Sequence, residues 1–380
     1  MQHSLLRNSF LSLIGVLLGM GLLMVYSASI TARPTEFEQV YLSRHLTFLS
    51  GGVCVGLTAA FLPSRFWRWA APWLFGLTLI LLAIVLVPGI GHRVNGAQRW
   101  LRFGSISMQP SEIAKVTLPL LVCWWLTPRR NAPDEIRSRF RSWLTRFAVI
   151  VPIGLTLGLI VVEPDLGTAA FLGGIAGIAL FLSRWPIRNF VISTLAVAPL
   201  ATTALVLRPY QWQRIQGFLT AWRDIDLAPY QVRQSLTTLG VGGIHGVGLG
   251  SGWQKLSFLP EANTDFVFAV LGEELGLIGT LGLIALWTAL FLLGLRLLAV
   301  QPVRSFEFTA GATLLTQVVL QAALNVAVVT AMVPPKGIAH PLISYGGSSL
   351  VVTLAALGIV VSMSRRDTAA LTEIGPPAGD

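Results

Sequence analysis

The chain has 380 residues, of which 54% are hydrophobic types and only 12% are charged, and its formal net charge is +10. A soluble domain typically carries about twice that charged fraction, so the composition excludes a disordered chain, a fibrous chain and an ordinary soluble enzyme. It predicts an all-α integral membrane protein whose helices share one bundle. Most basic residues lie beside apolar runs, so membrane topology explains the positive charge better than nucleic-acid binding does.

Ten apolar segments are candidates for transmembrane helices, because a bilayer core of about 30 Å requires roughly 20 residues per span. The first is long for the apolar region of a cleaved signal peptide, so we expect it to be retained. The eighth is long for one span and is expected to tilt or to extend beyond the bilayer. The predicted spans are Phe10–Ile30, Leu46–Leu62, Ala70–Val87, Glu112–Leu126, Phe147–Val162, Gly167–Leu182, Phe190–Leu207, Phe266–Leu298, Thr309–Met332 and Ser344–Met363.

The distribution of Lys and Arg predicts the orientation of these spans. With the N-terminus in the cytoplasm, the majority of the basic residues fall on the cytoplasmic side, so both termini are expected there. Residues 1–366 then form one polytopic domain of the cytoplasmic membrane, and 208–265 form a large outer loop between the seventh and eighth helices. A loop of that length without secondary structure of its own is usually functional. Residues 367–380 are predicted to be a disordered cytoplasmic tail.

The fourth predicted span begins with a group of polar and charged residues. Ser111 is a possible cap of this helix. Glu112 and Lys115 are three residues apart and therefore share one helix face. Charges at membrane depth either pair with each other or line a functional cavity, so a structural ion pair and a substrate-binding role both stay open.

Two further acidic segments lie on the predicted outer side. Glu163 and Asp165 flank a proline in a short turn, where Asp165 is a candidate cap of the next helix. Asp265 lies where the long loop returns to the membrane. It is either a catalytic carboxylate or, like the neighbouring Thr264, a helix cap. Glu273 and Glu274 follow about two turns later within an apolar segment, where a charge is a functional candidate.

Two segments suggest anion binding. The glycine-rich stretch 240–252 superficially resembles a nucleotide-binding loop, but it lacks the Gly-Lys-Ser/Thr motif and a preceding strand, so a tightly turning segment is the better interpretation. The segment 334–349 contains Lys336 followed by a run of small polar residues at a predicted helix start. Free N–H groups at such helix starts bind anions, although small residues there equally serve close helix packing.

Five motifs in this order resemble those of the SEDS family of cell-wall glycosyltransferases, the FtsW/RodA type. The resemblance covers nearly the whole chain, and Lys336 with Gly337 resembles the division branch more than the elongation branch. Two positions depart from the family pattern: Asn263 replaces a usual histidine, and His340 replaces a usual aliphatic residue. The motifs are Gly96–Trp100, Gln109–Glu112, Glu163–Thr168, Leu259–Phe266 and Ser344–Ser349.

The resemblance implies a ten-helix enzyme that polymerises lipid II into glycan strands at the outer face of the cytoplasmic membrane. It places the essential aspartate of the family at Asp265, the predicted general base, and implies a class B penicillin-binding protein as partner, alongside other divisome or elongasome proteins. No cofactor is required by a motif, and a divalent cation, Mg²⁺ or Mn²⁺, is an open option. The candidate substrate-binding residues are Arg99, Arg102, Glu112, Lys115, Asp165, Arg214, Gln234, Lys255, Glu261, Lys336, Ser344 and Ser348.

Two other functions stay open at this point. A lipid II flippase would share the substrate and the bundle, but transport typically spreads charges through the bilayer depth and uses internal repeats, and neither is visible here. A non-catalytic scaffold for division proteins would leave the acidic and basic clusters of the predicted outer face without a role.

Overall fold

The computed structural model describes residues 2–29, 36–94, 97–104, 106–127, 147–206, 209–255 and 259–365. Twelve α-helices occur in these ranges, with one short three-stranded sheet. The helices are α1 (Gln2–Ser29), α2 (Glu36–Phe61), α3 (Ser64–Val85), α4 (Pro110–Leu126), α5 (Ile150–Val162), α6 (Leu166–Leu182), α7 (Ile187–Val206), α8 (Pro209–Arg223), α9 (Tyr230–Gly242), α10 (Val267–Leu298), α11 (Phe306–Val329) and α12 (Gly347–Met363).

Each of the ten predicted spans overlaps one of these helices, with α8 and α9 as the additional pair. Four helices, α1, α3, α10 and α11, are long and apolar enough to cross a membrane by length and composition. Four shorter apolar helices lie within α5, α6, α7 and α12. The helical content and the apolar helices therefore agree with an all-α membrane protein.

The long segment 208–265 is more structured than the sequence suggested. It contains α8, a 3₁₀ turn at Ile225–Leu227 and α9, which begins directly after Pro229. Both helices are too polar for a hydropathy pattern to detect. The expectation of a loop without its own secondary structure was therefore wrong, and helical backbone holds much of this segment.

A small antiparallel sheet stands between α3 and α4 and is the exception to the all-α prediction. It consists of β1 (Gly91–Val94), β2 (Ala97–Phe103) and β3 (Ile106–Met108), in the order β1-β2-β3. In this sheet Arg102 pairs with Ser107. Ala97 and Leu101, four residues apart on one face of β2, are buried, whereas Arg102 is exposed, so one face of the strand is covered.

The helix α10, expected from its length to tilt or to extend beyond the bilayer, is broken at Gly276. Gly276 has φ 65° and ψ −162°, a conformation that residues with a side chain rarely adopt. The glycine-rich segment packs against this break and satisfies the open backbone groups. The amide of Val247 donates to the carbonyl of Glu273 at 2.9 Å, and that of Leu277 donates to the carbonyl of Gly243 at 2.9 Å.

The core depends on close helix packing through small residues. Helices α2 and α12 lie against each other, and a Cβ atom at Gly358 would be 2.1 Å from the carbonyl oxygen of Gly56. Small residues let helix backbones approach in this way within membranes. The largest buried side chains include Phe10, Phe268 and Phe306, which all belong to the hydrophobic core.

Candidate functional site

Asp265 lies in the turn before α10 and does not cap the helix. The N-cap position is Phe266, and no side chain makes a capping hydrogen bond there, so the interpretation of Thr264 or Asp265 as a cap was wrong. The Asp265 carboxylate is half-buried and lies against Gly337, where a Cβ atom would be 2.8 Å from Oδ2. The side chain is therefore directed at the segment that carries Lys336.

The surroundings of Asp265 bring its titration close to neutral pH. Burial, together with the negative charge of Glu261, raises the pKa of Asp265 to about 7, while the positive charges of Arg214 and Lys336 oppose this rise. A carboxylate with this pKa exists in both protonation states near pH 7. It is therefore suited to accept a proton in one step and release it in the next.

Lys336 lies along the first turns of α6. Its alkyl chain crosses Gly167, where a Cβ atom would be 2.1 Å from Cε, and its ammonium is 5.8 Å from the centre of the Phe171 ring. The ammonium of Lys115 is 5.7 Å from the same ring. Burial lowers the pKa of Lys336 to about 8, with Lys115 adding to this effect and Asp165 opposing it. Two cations therefore share one aromatic ring beside the site.

The predicted pair of Glu112 and Lys115 is confirmed. The Lys115 ammonium donates to Glu112 Oε1 at 2.6 Å and to Gln321 Oε1 at 3.1 Å, and both charged side chains are largely buried. The pair joins α4 to α11 through Gln321. It is near enough to Lys336 for its charges to affect the pKa of that residue.

The cap proposed for α4 is not formed by Ser111. The N-cap residue is Gln109, Pro110 occupies the first helical position, and the buried Ser111 Oγ has no hydrogen-bond partner among the described residues. Proline at the first helical position needs no N–H partner and already has the helical φ, which explains the start of the helix without a side-chain cap.

The turn at 163–165 is held by Arg99 from β2. The Arg99 guanidinium donates to the carbonyls of Glu163 at 3.1 Å and Pro164 at 2.6 Å, and it lies 3.7 Å from Asp165 Oδ2. Asp165 accepts from the amide and hydroxyl of Thr168 at 3.0 and 2.9 Å, so the predicted cap of the next helix is confirmed. Arg99 therefore stabilises this turn, in addition to its predicted role in binding an anion.

Glu163 is a titratable residue whose role the sequence did not reveal. Its side chain is fully buried, and neither carboxylate oxygen has a hydrogen-bond partner among the described residues. Burial, with a further contribution from Asp165 and opposition from Arg99, raises the pKa of Glu163 to about 8. The residue is therefore mostly protonated at neutral pH. In the sequence, its position beside Pro164 and Asp165 was the signal that could have identified it.

Lys255, expected to bind substrate, is instead paired inside the protein. Its ammonium lies 2.6 Å from Glu274 Oε1 and 2.8 Å from the Ser27 hydroxyl, and the side chains of Lys255 and Glu274 are 1% and 0% exposed. The neighbouring Glu273 accepts from the amide of Trp253 at 2.9 Å. Lys255 is therefore enclosed within the protein in an ion pair.

The remaining candidates are distributed over the same polar end of the bundle. Arg214 donates to the carbonyl of Pro335 at 3.4 Å, and Glu261 accepts from the Thr264 hydroxyl at 2.8 Å. The residues without a contact to Asp265 among the described interactions are Arg102, which is exposed on β2, Gln234, which donates to Gln254, Ser344, which accepts from the amide of His340, and Ser348, which is half-buried in the first turn of α12.

A metal site is not evident in the part of the chain that the structure describes. No group of three or more His, Cys, Asp or Glu side chains there is arranged to hold an ion. The Mg²⁺ or Mn²⁺ option therefore stays a prediction.

Comparisons with known proteins place this arrangement in a family. A family model described as "Cell cycle protein", for FtsW, RodA and SpoVE, matches residues 8–369. A relative from Geobacter metallireducens, named "Probable peptidoglycan glycosyltransferase FtsW", is 38% identical over 352 residues and is matched over 91% of each chain. A relative of the same name from Aromatoleum aromaticum is 39% identical over 353 residues, covering 91% of this chain and 84% of its own.

Solved structures agree with this assignment. A chain from "Structural coordination of polymerization and crosslinking by a peptidoglycan synthase complex" has a TM-score of 0.72 and 28% identity, covering 94% of this chain and 96% of its own. The rod shape determining protein RodA of Thermus thermophilus has a TM-score of 0.65 and 26% identity, covering 94% and 95%. The chain therefore belongs to the FtsW/RodA/SpoVE family of cell cycle proteins.

Proposed function

We propose that this protein is a peptidoglycan glycosyltransferase that polymerises lipid II into glycan strands at the outer face of the cytoplasmic membrane. The observation that carries the proposal is the environment of Asp265. Its carboxylate is free of a capping role, titrates near neutral pH and is subject to the positive charges of Arg214 and Lys336. The names of the relatives support the same activity.

The carboxylate and the cations of this site have separate roles in the reaction. A hydroxyl oxygen of the acceptor sugar forms a bond to the anomeric carbon of the donor, and the bond from that carbon to the pyrophosphate oxygen breaks. The electron pair leaves with the pyrophosphate, whose charge Lys336 and Arg214 stabilise, with Lys115 and Arg99 nearby. The hydroxyl proton passes to Asp265, because a sugar hydroxyl is a poor nucleophile without a base.

We propose that ten helices cross the membrane, with both termini in the cytoplasm and residues 208–265 outside. The distribution of Lys and Arg supports this topology. A cysteine in place of the exposed Asp226 should react with an impermeant maleimide added outside, and one at Ala369 should react only after permeabilisation. A parent in which Cys54 and Cys123 are replaced by Ala provides the background, and the reverse labelling pattern would exclude this orientation.

We propose a class B penicillin-binding protein as the partner that crosslinks the strands. A solved structure of similar fold comes from a peptidoglycan synthase complex that coordinates polymerization and crosslinking, which supports this assignment. The cognate transpeptidase should copurify with the tagged chain from membranes and should increase glycan synthesis when added. Glycan synthesis that is independent of every cognate transpeptidase would contradict it.

The central test is the synthesis of glycan from labelled lipid II by purified protein, alone and with the transpeptidase. Asp265→Asn retains the size of the side chain but cannot accept a proton at neutral pH, so its rate should fall about a hundredfold or more. Asp226→Asn makes the same chemical change at an exposed position and should retain the parental rate. Near-parental synthesis by folded Asp265→Asn would exclude this base and redirect attention to Glu261 and Asp165.

A further inference from the structure

The segments that carry Asp265 and Lys336 are tied together by one side chain of α11. The Asn325 amide nitrogen donates to the main-chain carbonyl of Asp265 at 2.7 Å and to that of Ile338 at 2.7 Å. Both protons of the amide are therefore used, one on each segment. The relative position of the two segments depends on the orientation of this single amide group.

His340 determines that orientation. The Trp287 indole nitrogen lies 2.9 Å from His340 Nε2, and an indole N–H can only donate, so Nε2 must carry no proton. In the neutral ring the proton is then on Nδ1, which donates to Asn325 Oδ1 at 2.9 Å. The amide oxygen of Asn325 is thereby directed at the histidine and its nitrogen at the two carbonyls.

The histidine is itself firmly held. Its side chain is 1% exposed, and its ring is stacked on Phe268 with an interplanar angle of 11°. Its main-chain amide donates to Ser344 Oγ at 2.7 Å, and that hydroxyl donates to the carbonyl of Thr264 at 2.5 Å. A second connection thus joins the same two segments, and His340 takes part in both.

We propose that His340 is a positioning residue that, through Asn325, fixes the Asp265 carboxylate relative to Lys336 for the glycosyl transfer proposed above. The inference rests on that proposed function. The resemblance noted in the sequence analysis implies an aliphatic residue at position 340, where this chain has a histidine. The ring does not need to contact the substrate, since it acts on the backbone that carries the base.

Three substitutions distinguish this role from simple filling of the core. His340→Asn places an amide nitrogen where Nδ1 stands and can keep the bond to Asn325, whereas His340→Gln reaches the position of Nε2 and keeps the bond to Trp287. His340→Leu keeps neither. A positioning role predicts that Asn retains the most activity. A packing role predicts the reverse, because Asn leaves the largest cavity.

The kinetic test measures kcat and KM for lipid II with purified protein and the cognate transpeptidase. We expect His340→Leu and His340→Gln to lose about tenfold in kcat, the effect of one hydrogen bond, with KM within about twofold of the parent. His340→Asn should stay within about threefold of the parental kcat. Equal activity of all three variants, or an activity that follows side-chain volume, would overturn the proposal.

A second measurement does not depend on catalysis. Hydrogen exchange followed by mass spectrometry should become faster in peptides covering 259–266 and 337–346 in His340→Leu, and stay parental in His340→Asn. Peptides from α3 serve as the internal control. Unchanged exchange in His340→Leu would overturn the inference even if the parent polymerises lipid II. A parent that makes no glycan would contradict the proposed function alone, since the exchange result stands separately.

Discussion

Two clusters in this protein bring acidic groups and lysines together below the surface, and they are built in opposite ways. At the break in α10, the Lys255 ammonium touches Glu274 at 2.6 Å, and both side chains are closed off from solvent. In the turn before α10, Asp265 is half-buried. Among the described contacts it makes no direct ion pair with Arg214 or Lys336, although both cations influence its pKa.

This difference distinguishes the structural Lys255–Glu274 pair from the proposed catalytic site at Asp265. In the first cluster the opposite charges neutralise each other and connect α1, the glycine-rich segment and α10 through Ser27. In the second, the charges stay apart and exposed enough to act on another molecule. A carboxylate under the influence of nearby cations is the arrangement that a reaction with proton transfer and an anionic leaving group needs.

The largest expected effect is on the stability of the cluster formed by Lys255 and Glu274. Lys255→Met leaves the Glu274 carboxylate buried without its cation and should lower the free energy of unfolding by about 3–5 kcal/mol. The double change with Glu274→Leu removes both charges and should recover much of this loss. Thermal unfolding in detergent measures both, and strict additivity of the single changes would contradict direct coupling. Asp265→Asn, as the matched change at the open site, should leave the melting temperature close to parental.

The Glu112–Lys115 pair combines features of both clusters: its charges are ion-paired and largely buried, and they affect the pKa of Lys336 at the proposed site. Glu112→Gln or Lys115→Met alone leaves one charge without its partner and should cost roughly 3 kcal/mol, or less given that the pair is partly exposed. The double variant should be more stable than the sum of the singles predicts. Unfolding measurements on all four proteins check this, and independent effects would show that the two charges do not depend on each other.

The activity that depends on Asp265 and Lys336 should show a narrow pH optimum. Asp265 must be deprotonated to accept a proton, so kcat/KM should fall as the pH drops below about 7, and Lys336 must be protonated, so kcat/KM should fall above about 8. Lys336→Arg should remove the alkaline limb, because guanidinium stays charged in this range. A pH–rate profile with an acid limb at the ordinary aspartate value near 4 would contradict desolvation of Asp265.

The smallest expected effect concerns the ring that Lys115 and Lys336 share. Phe171→Leu removes the cation–π contacts, worth about 0.5–2 kcal/mol, and should lower kcat/KM for lipid II several-fold. Phe171→Tyr keeps the ring and should stay near the parent. Phe181→Leu, at an exposed position of the same helix, is the matched control. An equal loss for Phe171→Tyr and Phe171→Leu would attribute the effect to packing instead.

Much of the fold could be predicted because its signals are local. Apolar runs marked all ten predicted spans, and each overlaps a helix. The helices α8 and α9 and the three-stranded sheet were missed, since amphipathic elements of mixed composition produce no apolar run. The break at Gly276 was also missed, because the glycine alone does not reveal that the segment around Gly246 packs against it.

Within the candidate site, the sequence determined the relations between residues that are near in the chain. The spacing of Glu112 and Lys115 placed them on one face, and Asp165 was positioned to cap the helix that follows it. Such contacts follow from helix geometry over three or four residues, whatever the rest of the chain does.

Only the tertiary structure decided how distant residues share their charges and hydrogen bonds. Lys255 was expected at the substrate, but packing brings it to Glu274 and to Ser27, which is 228 residues away in the chain. The same packing directs His340 at Asn325 and, through it, at the backbone of Asp265. The chemical type of a side chain determines which bonds it can make. Burial and the packing of other helices determine which partner it binds.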